Sequence, residues 1–234
     1  LRLGSVGSAI LEIYPASITG HLVLEKFYRN LEASDTAQLH ASWLSHLRNT
    51  VTHEANGSTE APYTVFSISD ARALLMTQGL LETGALYQNN IETPLGLTLL
   101  ARENNDQPLR TLHYDLTPLL QPLSADLADA QTAQPNNPWP LLRELASSND
   151  SAAQASIGTF LAKQNRFDAA ISWLEVAARP GNVLANTLLA RIYWFKAGAA
   201  DKQESGQNPE DADHATPTAA EFKQLALENH LQAI

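Results

Sequence analysis

Residues 139–198 carry a side-chain pattern that recurs at an offset of 32 positions. One copy reads Ala177-Ala178, Gly181-Asn182, Ala185, Leu189-Ala190, Tyr193; the other reads Leu145-Ala146, Asn149-Asp150, Ala153, Ile157-Gly158, Leu161. Small, apolar and turn residues occupy the same columns in both. A period of this length predicts stacked helical hairpins, because a single hairpin cannot bury its own apolar face. Such stacks generally present a binding surface and rarely carry out chemistry.

The apolar spacing and the turn residues predict helices over residues 139–147, 151–163, 167–178 and 184–195. The turns fall at Asn165-Arg166 and at Pro180-Gly181-Asn182, with glycine just past a helix end. Residues 201–217 break the spacing and read as an acidic low-complexity loop. Helix resumes over 218–234, where Ala226-Leu227 and Ala233 match Ala170-Ile171 and Ala177 at a shifted offset. The last ten residues carry no helix stop, and Leu1-Arg2-Leu3 shows neither an initiator Met nor the order of a signal peptide, so the sequence reads as a trimmed piece.

Residues 1–117 have another texture. Helices are predicted over 20–31 and 36–51, the second with a new N-cap at Ser34-Asp35 and Leu39, Trp43, Leu44 and Leu47 on one face. Residues 53–62 read as loop and 63–68 as a strand. Ser69-Asp70 would cap a helix over 71–78 that stops at Gly79. Residues 96–102 and 109–116 flank a turn-rich segment and predict a β-hairpin, with Leu97, Leu99 and Ala101 on one face and Leu112, Tyr114 and Leu116 on one face of the return strand. Residues 118–138, rich in Pro, Gln, Ala, Asp and Asn, read as a linker with a helical turn at 125–130. The expected fold is therefore mostly α: a small α+β domain over 1–117, a linker over 118–138, and an α-α hairpin solenoid over 139–234.

Within one hairpin, Gly158, Leu161, Ala170, Leu174 and Ala177 alternate small and large so that two helices can approach closely. Those columns resemble the tetratricopeptide superfamily, and most closely its Sel-one-like branch, in which Ala-Ala-x-x-Gly-Asn-x-x-Ala-x-x-x-Leu-Gly joins one hairpin to the next. Here the segment ends in Leu189-Ala190, with Ala190 where Gly is commoner. The resemblance implies a repeat-packing set of Ala153, Gly158, Ala170, Trp173, Leu174, Ala177, Gly181, Ala185, Leu189 and Ala190. It also implies a non-catalytic scaffold that binds other proteins, in bacteria often within the cell envelope during secretion or polysaccharide-export assembly. A periplasmic or envelope setting is thus expected over a cytoplasmic one. Tyr193, Trp194 and Phe195, at the end of a helix, are the candidate partner-binding anchors, with burial of Trp173 between hairpins as the expected packing role.

Composition narrows the alternatives. The chain has 15 Lys and Arg against 25 Asp and Glu, a formal charge of −10 and a pI of about 5.1, which argues against nucleic acid or an anionic membrane as main partner. With no cysteine there is no disulfide, thiolate metal site or Cys nucleophile. No apolar stretch is long enough to span a bilayer. His40, His46 and His53 do not have the i, i+4 spacing of a helical zinc site, and no metal or cofactor is expected. His113 and Asp115 share a strand face, yet no Gly-x-Ser-x-Gly elbow accompanies them. Glu82, Glu92 and Glu103 fall in predicted loops and form no carboxylate pair. Asn56-Gly57-Ser58 and Asn149-Asp150-Ser151 match a glycosylation sequon only as short motifs do by chance. The competing expectation is an enzyme with its site in residues 1–117, which calls for a deep pocket holding His113, Asp115 or another titratable group. A third is peptide addition at an uncovered strand edge near residues 96–102.

Overall fold

The computed structural model describes residues 2–90, 92–120, 137–204 and 218–233. The chain is mostly helical with a small mixed sheet, and falls into two compact units. One comprises Leu1–Glu82 and Gln88–Pro138; the other comprises Thr83–Tyr87 and Trp139–Ile234.

The first unit opens with α1 (Arg2–Ile13), α2 (Ile18–Asn30) and α3 (Ser34–Thr52), each packed on the next. Helix α1 lies outside the sequence expectation; Gly4 and Gly7, poor helix formers by propensity, are buried contact points against Phe27 and Leu24. Helix α3 starts one residue after Ala33, so Ser34 is its first residue and supplies no capping side chain. Its inner face is Ala37 and His40, with Leu44 and Leu47 half-buried, while Leu39 and Trp43 are exposed. The expected face is therefore rotated toward the smaller residues.

A two-residue strand β1 (Tyr63–Thr64) replaces the longer one expected, because Ser67 caps α4 (Ile68–Thr77) by accepting from the Asp70 amide at 2.9 Å. Then come β2 (Leu81–Gln88), β3 (Gly96–Arg102) and β4 (Arg110–Asp115). The sheet order is β1-β4-β3-β2, with β1 parallel and β3 antiparallel to β4. The predicted hairpin is present, with Leu97 opposite Tyr114 and Leu99 opposite Leu112, all buried. Because β3 is an interior strand of this order, residues 96–102 are not the uncovered edge that peptide addition there would require. Strand β2 was expected as loop, and Glu82 within it pairs with Arg72 at 2.9 Å. Residues 117–120 are helical and Leu120 is buried, so the segment expected as linker begins inside the core. Its predicted helical turn lies outside the described residues.

The second unit runs α5 (Trp139–Ser147), α6 (Ser151–Lys163), α7 (Phe167–Ala178), α8 (Val183–Glu204) and α9 (Ala219–Gln232). Each helix packs on its successor, and α6 also meets α8. Helices α5 and α6 stop in the same way. The residue after the cap, Asn149 or Asn165, takes φ of 65° or 60°, and the next amide reaches back to Leu145 or Leu161. Gly181, in the column of Asn149, has φ of 93°. Among the packing residues, Ala153, Gly158, Ala170, Leu174, Ala177, Ala185 and Leu189 are buried. Gly158 lets α6 lie on α7: a Cβ there would stand 2.6 Å from Leu174 Cγ and 3.2 Å from the Ala170 carbonyl.

Three members of that set act differently. Gly181 is exposed with open space around it, so it serves the turn and not close packing. Trp173 is at the surface, and Ala190 is half-buried. Helix α8 continues past Phe195 to Glu204, taking residues 201–204 out of the predicted loop; residues 205–217 lie outside the described residues. Ala197 is buried, and the alanine-rich run 197–200 carries the helix onward despite Gly198.

Candidate functional site

The three aromatics proposed as anchors separate on the turn of α8. Tyr193 is 5% exposed and its hydroxyl donates to Glu175 Oε1 at 2.9 Å, tying α8 to α7. Burial, and then the Glu175 carboxylate, push its ionisation well above the usual phenol range. It is a core residue, which corrects its expected role. Trp194 and Phe195 are 64% and 60% exposed, and Leu227 on α9 is 59% exposed. These three, with Ala190, Arg191 and His230, line a groove of about 550 Å³ between α8 and α9. The groove exists because α8 places Ala190 one turn before Trp194, and α9 places Ala226 beside Leu227, so small residues form its floor and large ones its walls.

Other cations of these two helices are engaged. Lys196 is held by Asp168 at 2.5 Å and Lys223 by Asp201 at 2.8 Å. Arg191 is exposed and has no ion-pair partner among the described residues. An uncovered aromatic patch flanked by an available guanidinium is suited to an apolar anchor followed by a carboxylate.

A second site in this unit holds main chain. Asn182, buried just ahead of α8, accepts at Oδ1 from the Ala85 amide at 3.3 Å and the Leu184 amide at 3.1 Å. Its Nδ2 donates to the Ala85 carbonyl at 2.9 Å and the Ser151 carbonyl at 3.4 Å. Ser156 Oγ accepts from the Tyr87 amide at 2.8 Å while donating to the Ala152 carbonyl at 2.6 Å. The side chains of α6 and of the α8 entry thus take the place of a neighbouring strand along residues 85 and 87. The sequence reading treats Asn182 only as a turn residue. Its column partner Asp150 is a cap, accepting from the Ala153 amide at 2.8 Å, so the column gives no hint of the extra duty.

The first unit gathers its histidines otherwise than expected. His40 pairs with His21, which the sequence reading passes over: the two Nδ1 atoms stand 2.9 Å apart, and His21 Nε2 donates to the Pro15 carbonyl at 3.0 Å. With Nε2 protonated, neutral His21 accepts at Nδ1 and His40 donates. Trp43 stacks on His21 and Tyr28 on His40. Burial depresses both imidazoles, in His21 reinforced by its neighbour and opposed by the Pro15 carbonyl. Ser17 and the Thr19 amide both donate to the buried Asp70 carboxylate, at 2.9 and 2.8 Å.

His46 and His53 lie along an open cleft of about 930 Å³ with Glu54 and Glu60, and no cluster of three or more His, Asp or Glu suited to a metal occurs among the described residues. His113 faces Thr98 Oγ1 at 3.1 Å and Thr59 Oγ1 at 3.5 Å, while Asp115 accepts from the Thr117 amide at 2.8 Å. Their shared face does not make a relay, since each is engaged with a different partner. Comparison of the chain with protein-family models, curated proteins and solved structures finds no match.

Proposed function

We propose that this chain is a non-catalytic interaction scaffold that binds other proteins through the α8–α9 groove of its helical unit. The observation that carries the reading is the exposure of Trp194, Phe195 and Leu227 together around one groove, beside Arg191. Isolated exposed apolar residues need no explanation, but a contiguous set of two aromatics and a leucine does. Aromatic anchors supply most of the energy in protein interfaces, and a flanking guanidinium supplies orientation. The partner chemistry that fits is an amphipathic segment with a bulky apolar residue and a nearby Asp or Glu.

The hairpin solenoid and its likeness to tetratricopeptide and Sel-one-like repeats are part of this proposal, as is a bacterial envelope setting. The columns spaced by 32 residues and the matched positive φ at Asn149 and Gly181 support the repeat. The envelope setting rests on the resemblance and on the Gln-, Asn-, Thr- and Ala-rich composition.

The test is capture from envelope extract by the full chain and by a Trp194→Ser, Leu227→Ser variant with unchanged circular dichroism. Proteins retained by the first and lost by the second support the groove. An identical retained set refutes it.

A further inference from the structure

The Asn182–Ser156 site reads backbone. Its hydrogen bonds to Ala85 and to the Tyr87 amide go to main-chain atoms: the Ala85 amide, the Ala85 carbonyl and the Tyr87 amide. Residues 85 and 87 lie two apart, so an extended chain turns both amides to the same edge. The Asn182 carboxamide presents one acceptor and one donor side by side, as the C=O and N–H of one residue in an adjacent strand would. Such contacts recognise an extended conformation and leave most side chains unspecified.

One position is specified. A Cβ on Gly84 would stand 3.1 Å from Asn182 Oδ1, 3.1 Å from the Leu184 amide nitrogen and 3.3 Å from the Val183 amide nitrogen. Two of those atoms are helix backbone, which gives way less readily than a side chain, so the site favours glycine there over a bulkier residue. The site also holds an unused acceptor. Asn186, one turn further along the same face of α8, is 1% exposed, and its Oδ1 has no hydrogen-bond partner among the described residues. Buried polar atoms are nearly always paired, so this acceptor is open to a further donor such as a main-chain amide.

We propose that the helical unit is a receptor for extended, glycine-containing peptide strands, that Thr83–Tyr87 is its resident ligand, and that a partner protein's strand of the same chemistry can replace it. The glycine is the selective feature, Asn182 and Ser156 are the backbone-binding residues, and Asn186 Oδ1 is the acceptor left for one further donor. This site shares no residue with the α8–α9 groove, so either can fail without the other.

The probe is a fluorescent peptide with the eight-residue sequence of Leu81–Gln88, paired with a control carrying valine at the glycine. The receptor is the full chain with Gly84→Val, which crowds out its own segment. Anisotropy is expected to show saturable binding of the glycine peptide, about tenfold or more tighter than the control. Adding Asn182→Ala is expected to weaken it by about tenfold or more, since buried main-chain groups lose their partners. In the unaltered chain, excess glycine peptide is expected to speed hydrogen exchange at the Ala85 and Tyr87 amides, and the control peptide is not. Equal binding of both peptides by a folded Gly84→Val chain overturns the proposal. So does unchanged exchange at Ala85 and Tyr87 in the unaltered chain, and that measurement decides alone if the variant does not fold.

Discussion

Replacing Gly158 by alanine tests whether α6 and α7 are pressed together as their columns imply. The added Cβ would lie 2.6 Å from Leu174 Cγ and 2.9 Å from Leu174 Cδ2. Carbon atoms prefer about 3.5–4.0 Å, so the overlap is near an ångström. Leu174 is fully buried and cannot turn outward, and the Ala170 carbonyl at 3.2 Å blocks a shift along the helix. Overpacking of this kind costs about 1–3 kcal/mol, against about 1 kcal/mol gained from alanine's helix propensity. The expected net loss is about 1 kcal/mol. Gly198, exposed on α8 with nothing among the described residues within 4 Å of its Cβ position, is the matched control: Gly198→Ala keeps the propensity gain alone, about 1 kcal/mol. Urea unfolding followed by circular dichroism should separate the two variants by roughly 2 kcal/mol, or several degrees in Tm for a chain of this size. A Gly158→Ala chain as stable as Gly198→Ala would refute the close helix approach.

Other perturbations follow from single sites. Glu32 ends α2 with φ of 59°, so Glu32→Gly should raise stability by about 1 kcal/mol in the same urea assay; a loss would mean its side chain holds the turn. The imidazoles of His21 and His40 are held below their ordinary value near 6.5. Their contribution is therefore complete above about pH 6.5 and is lost as pH falls through and below it. The urea midpoint should drop on acidification, and His40→Phe should make that drop shallower; an unchanged slope would remove the pair from the acid response. Tyr193→Phe removes the bond to Glu175 and should cost about 1 kcal/mol with the α8–α9 groove still able to bind. Loss of partner capture without loss of stability would return Tyr193 to the binding surface.

Much of the helical unit is legible because its information is local. Residues 139–178 carry apolar spacing, and their turns carry asparagine and glycine, so α5, α6 and α7 begin and end where expected. The burial of Tyr193 was also within reach. It stands 32 positions after the apolar, buried Leu161, while its neighbours Trp194 and Phe195 turn outward on the next steps of the helix. Helix α1 was hidden because Gly4 and Gly7 are helix breakers by propensity, and only their contacts with Phe27 and Leu24 make them useful. Strand β2 was hidden for a related reason. The partners of its Ala85 and Tyr87 amides lie 97 and 69 positions along the chain, a distance at which no residue pattern signals them. The His21–His40 pair likewise depends on α2 and α3 meeting face to face. Sequence periodicity sees one face of one helix at a time.

Photocrosslinking from position 194 addresses the binding claim most directly. A benzoylphenylalanine placed there, in cells expressing the full chain, should yield discrete adducts with one or a few proteins, and Leu227→Lys across the groove should abolish them. The same probe at Leu39, an exposed apolar residue on α3, should yield none of those adducts. Identical adducts from both positions, or adducts from 194 that survive Leu227→Lys, would contradict the groove as the place where this chain meets its partners.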